Sequence, residues 1–176
     1  MTPDNRNQPV IIVKYNPQWP VIFEQEKIKL SNLLGGKIQR IEHFGGTSVP
    51  NLGAKPIIDI LIGVKSLADA DQCIPLLQSV GYEYVPRLER EIPERRYFNY
   101  GIPRTQHIHM AELTSSFWEI NILFRDYLRK HLKVAQEYYL LKKKLASKFK
   151  FNREGYTNAK AEFIQSAIMK AQQVYR

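Results

Sequence analysis

The stretch Ile41-Glu-His-Phe-Gly-Gly-Thr-Ser-Val-Pro50, continued by Ala54-Lys-Pro-Ile-Ile-Asp-Ile60, decides how this chain is read. Lys37 to Phe44 alternates, with Ile38, Arg40, Glu42 and Phe44 interleaved with Gln39, Ile41 and His43, and reads as a mixed strand. Pro56 to Val64 is nearly all β-branched or aliphatic, the pattern of a central buried strand, and its single charge is Asp59. The connection from Gly45 to Lys55 is rich in turn residues. Gly45-Gly46 directly after a strand lets backbone N–H groups approach an anion without side-chain obstruction. Thr47 and Ser48 add hydroxyls that can donate or cap, and Lys55 adds a compact cation. A carboxylate inside an apolar strand is costly unless paired or metal-bound, so Asp59 is the candidate to hold Mg²⁺ against phosphate oxygens. The plainer alternative is a tight strand connection with a hydroxyl cap.

Working outward, Asn16-Pro17 is an N-cap followed by proline in the first helical position. The helix it opens is expected to run to Leu34 and stop at Gly35-Gly36. Ser66-Leu-Ala-Asp69 predicts a second helix ending near Val80-Gly81. Tyr82 to Val85 reads as a short strand and Arg87 to Arg96 as a charged loop. Arg96 to Tyr100 and His107 to Leu113 read as two paired strands around Gly101-Ile-Pro-Arg104. Ser116-Phe-Trp-Glu119 is a capping box opening a helix, which also accounts for Glu119. Two more helices are expected, from about Val134 to Phe149 and from about Glu154 to Tyr175. This order predicts an α+β fold: a mixed sheet of about five strands, covered by helices mostly on one side, with C-terminal helices.

The 176 residues suit one domain over 1–176, with residues 1–10 a flexible tail. Hydrophobic residues at 44% and charged residues at 24% argue against disorder. No apolar run reaches the roughly 20 residues of a membrane span, and the N-terminus lacks a signal-peptide core, so no membrane partner is expected and the cytoplasm is the expected location. The lone Cys73 has no internal disulfide partner and sits in an apolar helical setting, as a buried thiol. The net charge of +9 favours anionic partners: a nucleotide, another phosphorylated small molecule, an acidic protein or nucleic acid. Lys133 to Lys150 carries six lysines against Glu137 alone; a solvated helix face explains such a run as well as an interface does. Composition leaves the oligomeric state open.

On one strand, His107 and His109 point to the same face. With Glu42 and His43 on a neighbouring strand they are candidate metal ligands, or donors to a phosphate. Arg125 and Arg129 lie one turn apart; Arg125 is the candidate phosphate clamp and Arg129 the candidate structural ion pair. Tyr138, Tyr139 and Tyr156 read as packing residues.

Tyr15-Asn-Pro-Gln-Trp19, Ile41 to Pro50, Ala54 to Ile60, His107-Ile-His109 and Phe124-Arg-Asp-Tyr-Leu-Arg129 together resemble the GrpB family, also called UPF0157. The resemblance runs from about Val13 to the last helix. It implies a nucleotidyltransferase-like fold, and in some relatives a similar domain is fused to dephospho-CoA kinase. The superfamily pattern is a hydrophobic residue, two small residues, then two alternating acids on a strand. Phe44-Gly45-Gly46 and Asp59 match it, while the second acid position falls on Leu61, which cannot bind metal. Position in the resemblance also makes Arg96, Lys142 and Lys160 candidate ligand-binding residues.

Three functions follow. The first is binding of a nucleotide or phosphorylated metabolite at Gly45 to Ser48, extending to Mg-dependent nucleotidyl transfer at Asp59. The second is an interaction or nucleic-acid-binding module using the basic helices. The third is a degenerate transferase fold with an empty pocket.

Overall fold

The computed structural model describes residues 8–175. Most of the expected tail, residues 1–7, lies outside the described residues. Its end does not behave as a tail: Val10 is buried and its N–H donates to the Lys150 carbonyl at 2.7 Å.

The first helix, α1 (Gln18–Leu34), is opened by the Asn16 side chain, whose Oδ1 accepts from the Gln18 N–H at 2.9 Å. It ends at Gly35, where a positive φ of 53° reverses the chain. Then come β1 (Arg40–Phe44), the glycine turn, β2 (Ile58–Val64), α2 (Leu67–Ser79), β3 (Glu83–Tyr84), β4 (Arg95–Tyr100) and β5 (Gln106–Glu112). The strands form one sheet in the order β1-β2-β5-β4-β3. Only β2 and β5 run parallel; the other neighbours are antiparallel. The mixed five-stranded sheet with flanking helices is the α+β arrangement that the sequence predicts.

The strands separate their side chains by parity. Ile41, Ile58, Ile60, Ile62, Val64, Phe98, Ile108 and Met110 point to one face, where α1 and α2 seal them with Trp19, Phe23, Leu30, Leu77 and Cys73. That face is the main core, and Cys73 is fully buried in it. The opposite face carries Glu42, Phe44, Asp59, Leu61, Arg95, Tyr97, Asn99, His107 and His109, by the pairing register. It is also covered, which corrects the expectation of a sheet clothed mostly on one side. The helix α3 (Ser116–Lys130) crosses it at a small cluster of Phe44, Leu61 and Trp118; α4 (Leu132–Lys148) and α6 (Ala161–Val174) pack against α3, and α5 (Arg153–Ala159) packs against α4 and α6.

Two local readings change. The cap of α3 is Ser115, whose Oγ accepts from the Trp118 N–H at 3.2 Å, while Ser116 Oγ donates to Glu94. The last helix is two: the chain breaks at Lys160 between α5 and α6. Amphipathic spacing continues through the break, so periodicity alone did not reveal it.

Candidate functional site

The glycine turn sits where β1 ends, and β2 runs antiparallel beside it so that Phe44 faces Asp59. Gly45 has φ 69° and ψ −172°, a conformation that is essentially glycine-only. A Cβ there would overlap the Asp59 carboxylate, and one on Gly46 would crowd Ala54 and the Lys142 ammonium. The turn therefore holds backbone against both the acid and the lysine. Its hydroxyls are consumed internally: Ser48 Oγ donates to the Gly45 carbonyl at 2.6 Å, and Thr47 Oγ1 bonds the Ile57 carbonyl and His43 Nε2. Whatever cradle the turn offers is made of backbone and not of these two side chains.

Around the turn lies a cleft of about 150 Å³. Gly45, Gly46, Thr47 and Asp59 form its floor with His107, and Lys55, Lys142 and Lys160 enter from its walls. Among the described residues none of these lysines makes an ion pair with an acid. Aromatic faces position them instead. Lys142 Nζ lies 4.8 Å from the Tyr138 ring centre, and Lys160 and Lys55 lie 4.3 and 5.4 Å from that of Tyr156. A ring holds an ammonium without neutralising it, so the positive charge remains available to an anion.

Lys142 is only 4% exposed and donates to the Gly53 carbonyl at 2.6 Å. Burial, helped by Lys160 and Lys55 and opposed by Asp59, draws its pKa down to about 7. Lys160 is drawn down to about 8, first by burial and then by Lys55. Lys55 is lowered by burial against the pull of Asp59, with Arg153 and Arg104 adding to the lowering. Five cations thus share the region with one carboxylate. Burial pushes the Asp59 carboxyl up, but the His107 hydrogen bond, the imidazoles and Lys55 outweigh it and hold the group below its usual range.

Asp59 Oδ1 accepts from His107 Nδ1 at 3.1 Å; a carboxylate only accepts, so that nitrogen carries the hydrogen. His107 Nε2 is buried and has no hydrogen-bond partner among the described residues. Next to it on β5, His109 Nδ1 accepts from Arg95 Nη1 at 2.8 Å. Burial and Arg95 hold the His109 pKa well below the usual imidazole value, so that ring is neutral. Asp59, His107 and His109 each present one ligand atom, and these atoms all lie within 4.8 Å of one another.

Other candidates fall elsewhere. His43 lies on the opposite sheet face, stacked on Phe23 with ring centres 4.7 Å apart, so it cannot join His107 and His109. Burial lowers its pKa to about 4. Glu42 faces the right side but is held by Arg125 at 2.8 Å and Arg40 at 2.6 Å, two positions below Asp59 in register. Both depart from the metal set that the sequence suggested. Arg96 points to the α2 face and pairs with Asp71 and Glu89; strand alternation gives the site side of β4 to Arg95. Arg125 is occupied by Glu42, Asp126 and the His43 carbonyl, and Arg129 by the Ser48 carbonyl through two hydrogen bonds. The two arginines fasten α3 to β1 and the turn, and are not free clamps. Leu61 is fully buried under Phe44 and Trp118.

Tyr138 and Tyr156 belong to the cleft although the sequence reading gave them to packing. A signal existed. Tyr138 and Lys142, and again Tyr156 and Lys160, are four residues apart on their helices, the spacing at which side chains meet.

Sheet, turn and lysine walls together define an α+β domain with a small, positively charged cleft over the glycine turn. The chain belongs to the GrpB family: the family model described as GrpB protein matches residues 9–170. The UPF0157 protein YqkA of Bacillus subtilis is 42% identical over 159 residues, 90% of this chain and 46% of that protein. The chain thus spans about half the length of that relative. The glutamate-rich protein GrpB of Alkalihalophilus pseudofirmus is 34% identical over 163 residues, covering 90% of this chain and 94% of the relative. The crystal structure of conserved protein GrpB from Enterococcus faecalis superposes with a TM-score of 0.86 at 35% identity, covering 94% of this chain and 99% of the other. No helix among the described residues is long and apolar enough to cross a membrane.

Proposed function

We propose that the cleft binds a nucleotide or another phosphorylated small molecule through its phosphate groups. The supporting observation is the convergence of Lys55, Lys142 and Lys160 on the glycine turn, each held by an aromatic ring or a carbonyl and none paired with an acid among the described residues. Burying an ammonium costs free energy, and the lowered pKa of Lys142 records that cost. A phosphate oxygen entering the cleft offsets it through charge-assisted hydrogen bonds. The cleft's 150 Å³ accommodates a phosphate group and leaves the rest of the ligand outside, over Tyr138, Tyr156 and the turn.

The magnesium site of two-metal nucleotidyl transfer does not fit this donor set. Such a site gathers several oxygens, and Mg²⁺ favours them over nitrogen. Among the described residues lining the turn Asp59 is the one carboxylate, Leu61 is sealed in the second acid position, and the neighbouring donors are imidazoles. We therefore read the cleft as a binding site and route no transfer step through magnesium.

The test is a thermal-shift series with nucleoside triphosphates, nucleoside monophosphates and pyrophosphate. A ligand at 100 times its Kd stabilises by about 2.7 kcal/mol, a shift of several degrees. The reading predicts such a shift for at least one phosphorylated ligand, lost in Lys142→Met. No shift with any of them contradicts it. A shift that survives Lys142→Met and falls steeply with salt supports the basic helices as the interface instead.

A further inference from the structure

We propose that Asp59, His107 and His109 form a mononuclear site for a borderline divalent transition ion such as Zn²⁺, in place of a two-carboxylate magnesium site. The inference deepens the reading of the cleft and rests on it for the ion's purpose, but ion binding itself is measured without an anion. Register brings the three residues together: β2 and β5 are parallel neighbours, Asp59 pairs with His107, and His109 follows two residues on along the same face. Their ligand atoms lie within 4.8 Å of one another, and the hydrogen of His107 Nδ1 occupies the gap to Asp59 Oδ1 at 3.1 Å. An ion can take the place of that hydrogen. Two imidazoles and one carboxylate suit zinc or another late first-row ion and suit magnesium poorly.

The surroundings support an open site. Three protein ligands leave a coordination position for an oxygen, and the phosphate-directed lysines stand on the same cleft. An ion at Asp59 therefore meets the ligand that the lysines hold. By linkage each tightens the binding of the other, since the ion relieves the anion and the anion screens the ion from the lysines.

Arg95 is the residue that controls this site. Its Nη1 donates to His109 Nδ1 at 2.8 Å, and a guanidinium only donates, so the ring holds its hydrogen on Nε2. Ligation by His109 through either nitrogen requires Arg95 to withdraw. Its Nε is buried with no hydrogen-bond partner among the described residues, and its guanidinium lies over the faces of Tyr97 and Phe117, 5.0 and 5.5 Å from the ring centres. His109 itself is kept upright between Phe44 and Phe117.

The experiment uses the full chain without a tag, stripped with chelator and studied in phosphate-free buffer. Calorimetry is run with Zn²⁺ and with Mg²⁺ on the wild type, His107→Ala, Asp59→Asn and Arg95→Gln, each checked by circular dichroism. The expected result is one Zn²⁺ per chain, no Mg²⁺ uptake at the same concentration, and affinity at least about tenfold weaker in His107→Ala and Asp59→Asn. Arg95→Gln binds more tightly than the wild type. Cobalt-loaded wild type, which needs no variant to fold, shows the visible absorption of nitrogen ligation. Failure of the wild type to take up zinc or cobalt overturns the proposal, as does zinc affinity unchanged in folded His107→Ala and Asp59→Asn. A wild type that binds pyrophosphate but no zinc keeps the anion reading and loses this one.

Discussion

At the residue scale the site depends on positions where only one side chain works. Gly45 is the clearest. Its φ of 69° with an extended ψ excludes other residues, and a Cβ would overlap the Asp59 carboxylate. Gly45→Ala is expected to destabilise the fold by about 1–3 kcal/mol in urea unfolding and to weaken anion binding with it; an unchanged midpoint would show that the turn relaxes freely. Leu61 is the second such position. The nucleotidyltransferase resemblance would put a second acid there, but the side chain is buried between Phe44 and Trp118, where an acid is not expected to form a magnesium pair with Asp59. Leu61→Asp is expected to lose several kcal/mol of stability through a buried unpaired charge, or to raise that carboxyl's pKa, without gaining magnesium binding. A folded, magnesium-binding Leu61→Asp would contradict this account.

At the element scale the cleft is a joint between the sheet and α4, α5 and the Lys160 break. The sheet half was legible in the sequence, because β1, the turn and β2 are contiguous and their spacing places Asp59 beside Gly45. The helix half was not legible in the same way. Lys142 and Lys160 entered by resemblance, and their partners Tyr138 and Tyr156 looked like packing until α4 and α5 were seen to close over the turn. Alternation explains two other misses. Arg95 and Arg96 are adjacent on β4, so only one can face β5's histidines, and the sequence does not say which. His43 failed as a ligand for the same reason, since one residue along a strand changes the face.

The helix half also sets the pH response. Lys142 and Lys160 lose their protons near pH 7 and 8, with Lys55 and Asp59 the charges acting on both and Lys160 acting on Lys142 as well, while Arg153 and Arg104 act on Lys55. A protonated ammonium binds a phosphate and a neutral amine binds it weakly. Affinity for pyrophosphate is therefore expected to be greatest below about pH 7 and to fall as pH rises through 7 to 9, which calorimetry at fixed ionic strength can follow. Affinity that rises over that window would contradict the role given to the two lysines.

For the whole molecule, the sheet separates stability from chemistry. One face, closed by α1 and α2, is apolar and carries the core; the other carries Glu42, Asp59, Arg95, His107 and His109. Phe98 is fully buried on the core face, and Phe98→Ala is expected to cost about 3–5 kcal/mol while leaving pyrophosphate affinity of the folded protein unchanged. A large loss of affinity would mean that the two faces are coupled. The division was visible early, because hydrophobic periodicity records the core face directly. The polar face was less visible, because its residues come from four strands, and the side chains over it from helices far apart in sequence, and nothing local announces that they meet.

A phosphate held over the glycine turn by ring-supported lysines, none ion-paired among the described residues, is detected by titrating pyrophosphate into the wild type and into Lys142→Met at pH 6.5 in a calorimeter. The account predicts one site per chain in the wild type and at least tenfold weaker binding in a folded Lys142→Met. Equal affinity in the two proteins, or no binding to the wild type, would contradict it.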